Sequence, residues 1–249
     1  MAIKDLLQKR EYVKKYDHLI DDVTREKYEK DFIIKFTHHS TAIEGNSLTL
    51  RETKLVLEDK IAPNGKSLRE IYEVRNHEKC WDYIMSCIDE GKSLNENIVK
   101  DIHQILVENI FQGGIYRNTP VSILGAEHKP PQAQEAYYLV KEFYNNLEDY
   151  KGNSLELAAF THAEFVKIHP FPDGNGRTSR MMMNYQLVKN GFMPIYINNE
   201  NKNEYFDALD EYAVKSDMEP FIKIIENNEE LALNKRIEYI KCFKNDKKA

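Results

Sequence analysis

Apolar side chains recur at intervals of three and four along most of this chain, the spacing that lines one face of an α-helix. Between Ala2 and Glu44 there is neither glycine nor proline, and Leu6, Val13, Tyr16, Ile20, Val23, Phe32 and Phe36 fall on that spacing. The pattern predicts one or two long helices stopped at Gly45, where a left-handed cap costs little. Pro63-Asn64-Gly65 marks a turn. Ser67 and Glu70 then form a capping-box pair ahead of a helix with Ile71, Val74, Trp81, Ile84 and Ile88 inward and Gly91 at its end. The same pair recurs at Ser93 and Glu96, before Ile98, Ile102 and Ile105.

The stretch Gly113 to Pro131 breaks this rhythm. Glycines 113, 114 and 125 and prolines 120, 130 and 131 surround a short β-prone run, Val121-Ser122-Ile123-Leu124, which predicts a small hairpin or flap. Helical spacing resumes at Tyr137, Val140, Phe143 and Leu147 and ends near Gly152. Ser154 can cap the next helix, which is apolar nearly all round from Leu155 to Ile168 and so belongs inside a core. It must stop before Pro170. Another helix begins around Arg177, carries Met181, Met182, Met183, Tyr185, Leu187 and Val188, and ends at Lys189 with Gly191 and Pro194 beyond. Residues 201–248 read as two or three further helices. The fold class expected is all-α, a helical bundle with one β-hairpin flap.

Composition narrows the function. The chain has 249 residues, 35 basic and 41 acidic, for a net charge of −6. That acidity argues against a protein built to grip nucleic acid. No uncharged apolar run is long enough for a membrane span, and the charged start Met1-Ala2-Ile3-Lys4-Asp5 has no signal segment, so a cytoplasmic protein is expected. Three cysteines do not make a disulfide framework, and Cys80 and Cys87, seven apart, read as small buried hydrophobes on one helix face. Exposed helical faces also suit a homo-oligomer.

The chemistry is concentrated between the two core helices, in His169-Pro170-Phe171-Pro172-Asp173-Gly174-Asn175-Gly176-Arg177, followed by Arg180. Gly174 and Gly176 permit backbone N–H groups to converge into an anion nest that opens onto a helix start, where the dipole also favours negative charge. Arg177 and Arg180, three apart, can reach one side of a polyphosphate. Asp173 supplies a hard oxygen suited to Mg²⁺, which prefers few protein ligands plus phosphate oxygens. His169 has an ordinary pKa suited to taking a proton near neutrality. Phe171 is expected to turn inward and fix the loop. A base, a metal ligand, an anion cradle and two cations point to phosphoryl or nucleotidyl transfer.

This segment resembles the Fic family motif, H-P-F-x-[D/E]-G-N-G-R-x-x-R, at every specified position. The resemblance, which spans about 67–218, implies a helical domain with a flap and transfer of AMP from ATP to a Tyr, Ser or Thr hydroxyl of a target protein, itself included. It implies that His169 deprotonates the acceptor and that Asp173 holds Mg²⁺. Gly174, Asn175 and Gly176 would line the phosphate cradle, and Arg177 and Arg180 would neutralise the triphosphate. Relatives that carry lysine for the second glycine phosphorylate instead, and this chain keeps Gly176. Tyr205 resembles an adenine-stacking position, and Val121 to Leu124 could pair with an extended target segment by strand addition.

Ser40-Thr41-Ala42-Ile43-Glu44-Gly45 resembles the family's inhibitory motif, [S/T]-x-x-x-E-[G/N]. Ser40 and Glu44 share a helix face, and a carboxylate in a last helical turn seeks a cation. The resemblance implies that Glu44 pairs with Arg180 and holds the enzyme off, with Ser40 orienting the helix end. Three parts follow: an N-terminal helical region (1–62) bearing the inhibitory motif, a catalytic core (63–218) and a C-terminal helical extension (219–249). Two other readings stay open here: removal of AMP from a modified protein by the same site, and nucleotide-responsive binding with little turnover. His38, His39, His77, His103 and His162 are expected in core or surface roles, since no third ligand stands at metal spacing.

Overall fold

The computed structural model describes residues 3–123 and 125–246. Ten α-helices form among them: α1 Ile3–Tyr16, α2 Asp22–Ile43, α3 Leu50–Glu58, α4 Leu68–Asp89, α5 Glu96–Leu106, α6 Ala133–Glu148, α7 Ser154–Ile168, α8 Asn175–Lys189, α9 Lys202–Lys215 and α10 Glu219–Asp246. Polar caps set most of their starts. Asp21 accepts the Thr24 N–H to open α2, and complete capping boxes join Thr49 to Glu52, Ser67 to Glu70 and Asn153 to Glu156.

The α7–α8 pair is the middle of the molecule. One apolar cluster joins its Leu155, Ala159, Met183 and Leu187 to α1, α9 and α10. A second joins Phe165, Ile168, Met181, Met182 and Tyr185 to α2, α4, α5 and α6. α8 is buried almost around its whole circumference, as its run of methionines implied. A loop slung between two such helices is held at both ends by packed cores, which is what a precisely positioned site needs. α2 differs along its length: only its second half is buried, through Ile34, Phe36, Thr37, Ser40, Thr41 and Ile43, and that half carries the expected inhibitory motif into the core.

Several local readings shift. The one or two long helices expected before Gly45 are two, α1 and α2, separated by a 3₁₀ turn at Asp17–Leu19. Asn95, not Ser93, caps α5 by accepting from the N–H groups of Asn97 and Ile98, while the Ser93 hydroxyl accepts from Lys189 Nζ. Asn153 replaces Ser154 as the cap of α7. α3 was not read from the spacing, being only nine residues long between Gly45 and Pro63. The hairpin expected over Val121, Ser122 and Ile123 is not formed by strands among the described residues; Leu124 lies outside them. The segment runs instead as irregular backbone tied to the rest of the chain by the Arg117 N–H on the Pro170 carbonyl and the Glu127 N–H on Asp210. Cys80 and Cys87 are buried free thiols, as expected. No described helix is long and apolar enough to cross a membrane.

One buried acid sits in the outer layer. Glu229 on α10 is fully buried; its Oε1 accepts from the Met193 N–H at 2.8 Å and its Oε2 has no partner. Burial, only partly offset by that N–H, pushes its carboxyl up to about 8. The folded state therefore keeps a proton that the unfolded chain gives up near 4.5, so stability is lost as pH rises from there through about 8. Glu229→Gln keeps the acceptor and cannot ionise. Thermal melts should show little difference from the parent at about pH 4, a growing gap as pH rises, and a midpoint higher by about 3 °C or more at about pH 9.

Candidate active site

His169 ends α7 in a left-handed conformation, φ 53°, with its N–H on the Phe165 carbonyl at 3.0 Å. This turns the chain sharply and lifts the imidazole out of the helix line. Its Nδ1 lies 3.1 Å from the Val166 carbonyl, which can only accept, so Nδ1 carries the proton and Nε2 keeps its lone pair. Burial lowers its pKa, against an upward pull from the Val166 carbonyl and the Glu44 carboxylate; Arg117 adds to the lowering, and Asp173 weakly opposes it. The neutral form of the base is favoured.

The turn that follows is locked from within. Phe171 is fully buried and stacks face to face on His103, centroids 3.6 Å apart. Asn175 accepts the Phe171 N–H at 2.9 Å and donates to the Phe171 carbonyl at 2.8 Å, closing the loop on itself. His103 accepts from the Gly114 N–H at Nδ1, so its Nε2–H donates to the Asp173 carbonyl at 3.0 Å. Burial pushes this imidazole down to about 4, keeping it a neutral structural strut. Gly174 takes φ 77° with Val107 and His103 directly behind it, a place where a side chain would be strained and crowded.

Beyond Gly174 the first helical bond of α8 is Thr178 N–H to the Gly174 carbonyl, which leaves the N–H groups of Asn175, Gly176 and Arg177 without helical acceptors. Cations flank them. Arg177 is buried, with long contacts to Glu73 at 3.6 Å and Asp173 at 3.9 Å, and its Nε and Nη1 have no hydrogen-bond partner. A buried guanidinium beside helix N–H groups that lack helical acceptors gives this turn a positive field suited to an anion. Asp173 is half-exposed; its Oδ1 accepts the Gly174 N–H at 2.6 Å and its Oδ2 meets Arg69 at 2.7 Å. Against the cost of its burial, Arg177, the Gly174 N–H and Arg69 hold its carboxyl below the ordinary value, so it is ionised.

A carboxylate of the chain itself lies over this anion seat. Glu44, which caps the end of α2, accepts from Arg180 Nη2 at 2.6 Å. Its Oε1 rests so close to Gly176 that a Cβ there would collide with it. Arg180 is fully buried and every nitrogen is engaged: Nε on the Ser40 hydroxyl at 2.9 Å, Nη2 on the Ser40 carbonyl at 2.9 Å, Nη1 on the Tyr205 hydroxyl at 3.2 Å.

Residues 93–187, from the start of α5 through the loop to the end of α8, match the Fic/DOC family. The chain belongs to the Fic/DOC family. Among its curated relatives, the protein adenylyltransferase Fic of Drosophila grimshawi is 32% identical over 210 residues, covering 82% of this chain and 43% of that protein. The protein of the same name from Nematostella vectensis is 33% identical over 202 residues, 79% of this chain and 47% of the other. This chain thus spans less than half the length of those relatives. The fold is that of a Fic-domain signaling protein from Bacteroides thetaiotaomicron, with a TM-score of 0.85, 23% identity and 97% of both chains covered. It is also that of Fic-1 from C. elegans, with a TM-score of 0.82, 24% identity, and 95% and 71% covered.

The Fic loop brings together His169, Asp173, Gly174, Gly176, Arg177 and Arg180, and α2 adds Ser40 and Glu44. Two expected roles change. The side chain of Asn175 is spent on Phe171, so only its backbone N–H faces the cradle. Tyr205 is buried under His162, Phe206 and Phe221 with its hydroxyl between Arg180 and His162; it offers no open face to a base and reaches the site only through Arg180. His77 and His162 are buried and His103 is a strut, in line with structural roles. Four contributors were not singled out in the sequence. Glu73 and Arg69 of α4 bracket Asp173 and Arg177, Asn46 donates to Glu73 at 2.9 Å, and Arg117 grips the loop from the 113–131 segment.

Proposed function

We propose that this Fic-family chain is a protein adenylyltransferase that moves AMP from ATP to a hydroxyl of a target protein and that its own Glu44 restrains it. The observation that carries this reading is the Glu44 carboxylate lying on Arg180 and against Gly176 in the first turn of α8. An internal anion in that place marks where a phosphate would sit and what must leave for it to do so.

The chain's groups divide the work. The positive charge of Arg177, the α8 N–H groups and, once released, Arg180 bind and orient the triphosphate. His169 Nε2 takes the proton of the acceptor hydroxyl, whose oxygen attacks the α-phosphorus as pyrophosphate departs. The site also fits Mg²⁺. Among the described residues no three His, Cys, Asp or Glu side chains gather around a point, so a metal here would need phosphate oxygens besides Asp173, the regime Mg²⁺ prefers. Asp173, ionised and half-exposed, would hold it, and it would supply charge neutralisation on the phosphates.

Because the base acts unprotonated and its pKa lies below 6.5, the transfer rate should climb with pH to a plateau whose midpoint is below 6.5. A midpoint above that value in the rate profile of a released variant would contradict His169 as the base. Intact-mass analysis of the Glu44→Gly protein with ATP and Mg²⁺ tests the reaction class itself, through added AMP on the protein. The 113–131 segment is the side from which an extended target segment would approach, and a cytoplasmic location and a homo-oligomer complete the reading.

A further inference from the structure

Arg117 is a large cation near the loop that the chemistry above leaves without a task. It stands in the irregular 113–131 segment, yet it is 5% exposed. None of its partners is a carboxylate. Its Nε donates to the His169 carbonyl at 2.7 Å, Nη1 to the Thr119 carbonyl at 3.1 Å and Nη2 to the Pro131 carbonyl at 2.5 Å. Its own backbone N–H donates to the Pro170 carbonyl at 2.9 Å. Burying a guanidinium against neutral acceptors is expensive unless its donors are satisfied, and here the satisfaction comes from three separate stretches of backbone.

Those acceptors have a pattern. Thr119 and Pro131 lie on the outgoing and returning stems of the segment, so the guanidinium closes its base. The carbonyls of His169 and Pro170 are consecutive, and one residue holds both. That peptide follows the left-handed turn of His169, a conformation that a residue with a Cβ keeps only when its surroundings impose it. With the peptide fixed on one side and Nδ1 bonded to Val166 on the other, the imidazole has its aim determined.

We propose that Arg117 is a positioning residue for His169, joining both stems of the 113–131 segment to the backbone of the base so that segment and imidazole move as one body. This rests on the adenylyltransferase reading for its kinetic consequence, while the structural link stands without it.

The test uses the full chain with Glu44→Gly, alone and combined with Arg117→Lys or Arg117→Met. Arg117→Met should lower kcat about 100-fold, the cost of a base displaced by about an ångström, with KM for ATP nearly unchanged. Arg117→Lys, which keeps the charge and one or two of the donors, should recover part of that loss. NMR of the His169 ring, with no nucleotide added, should show a changed tautomer signal in Arg117→Met. It should also show an upward shift of the titration, since a cation is removed while Glu44, Asp173 and Val166 are the other groups that bear on this ring. In the Glu44→Gly background the Glu44 share is absent from both arms. Unaltered ring signals in Arg117→Met, or a lysine variant no better than methionine with KM rising in step with kcat loss, would overturn the proposal. Altered ring signals in a chain that transfers no AMP would uphold the link and overturn only the adenylyltransferase reading.

Discussion

Glu44→Gly should raise AMP transfer by about 10- to 100-fold, the range that one hydrogen bond between charged groups, about 1.5–3 kcal/mol, can withhold from a competing ligand. The physical basis is competition for one seat. Glu44 engages Arg180 at 2.6 Å and stands against Gly176, so a phosphate must displace it from both. Once it is gone, Arg180 keeps its bonds to Ser40 and Tyr205 and stays in place with one donor face open. The same change removes the anionic partner of a buried cation, so the variant without nucleotide should melt earlier than the parent, and ATP should raise its midpoint more. Labelling with α-labelled ATP and melting with and without ATP read the two effects. Labelling no greater than that of the parent would sink the role assigned to Glu44.

His169→Ala, made in the released background, should cut transfer about 10²- to 10⁴-fold, the usual contribution of a positioned general base. ATP binding should persist. The anion seat is formed by α8 N–H groups, Arg177 and Arg180, and the imidazole bonds to none of these. Isothermal titration with ATP and Mg²⁺, run beside the labelling assay, separates the two quantities. Transfer that survives in the variant would mean the acceptor hydroxyl loses its proton to another group.

The helical order and the loop were legible because both are local. The capping pair Ser67–Glu70, the proline limit after Ile168 and the glycine beyond Lys189 each act within a few residues. α3 could have been read from Thr49 and Glu52, which form the same capping box; its brevity between two turn signals hid it. Other features were beyond the reach of spacing. Glu73 and Arg69 look like ordinary charged positions on an amphipathic helix until folding brings α4 against the α8 terminus. Tyr205 could not be told from a nucleotide-facing aromatic by its helical position, and burial decides against it. Asn175 carries a motif position whose spacing suggests a ligand contact, but its two bonds to Phe171 hold the loop's own shape. Arg117 offered a faint signal, a lone arginine among glycines and prolines, whose partners are all carbonyls and so leave no charge pattern to find.

The flush contact between the Glu44 carboxylate and the bare Cα of Gly176 ties the history of two distant codons together. A side chain introduced at 176 would displace the Glu44 carboxylate and alter the start of α8 together, so the proposed restraint and the proposed phosphate seat would change in a single mutational step. A lineage that kept the Glu44–Arg180 contact could explore side chains at 176 only where the glutamate's carboxylate can swing aside.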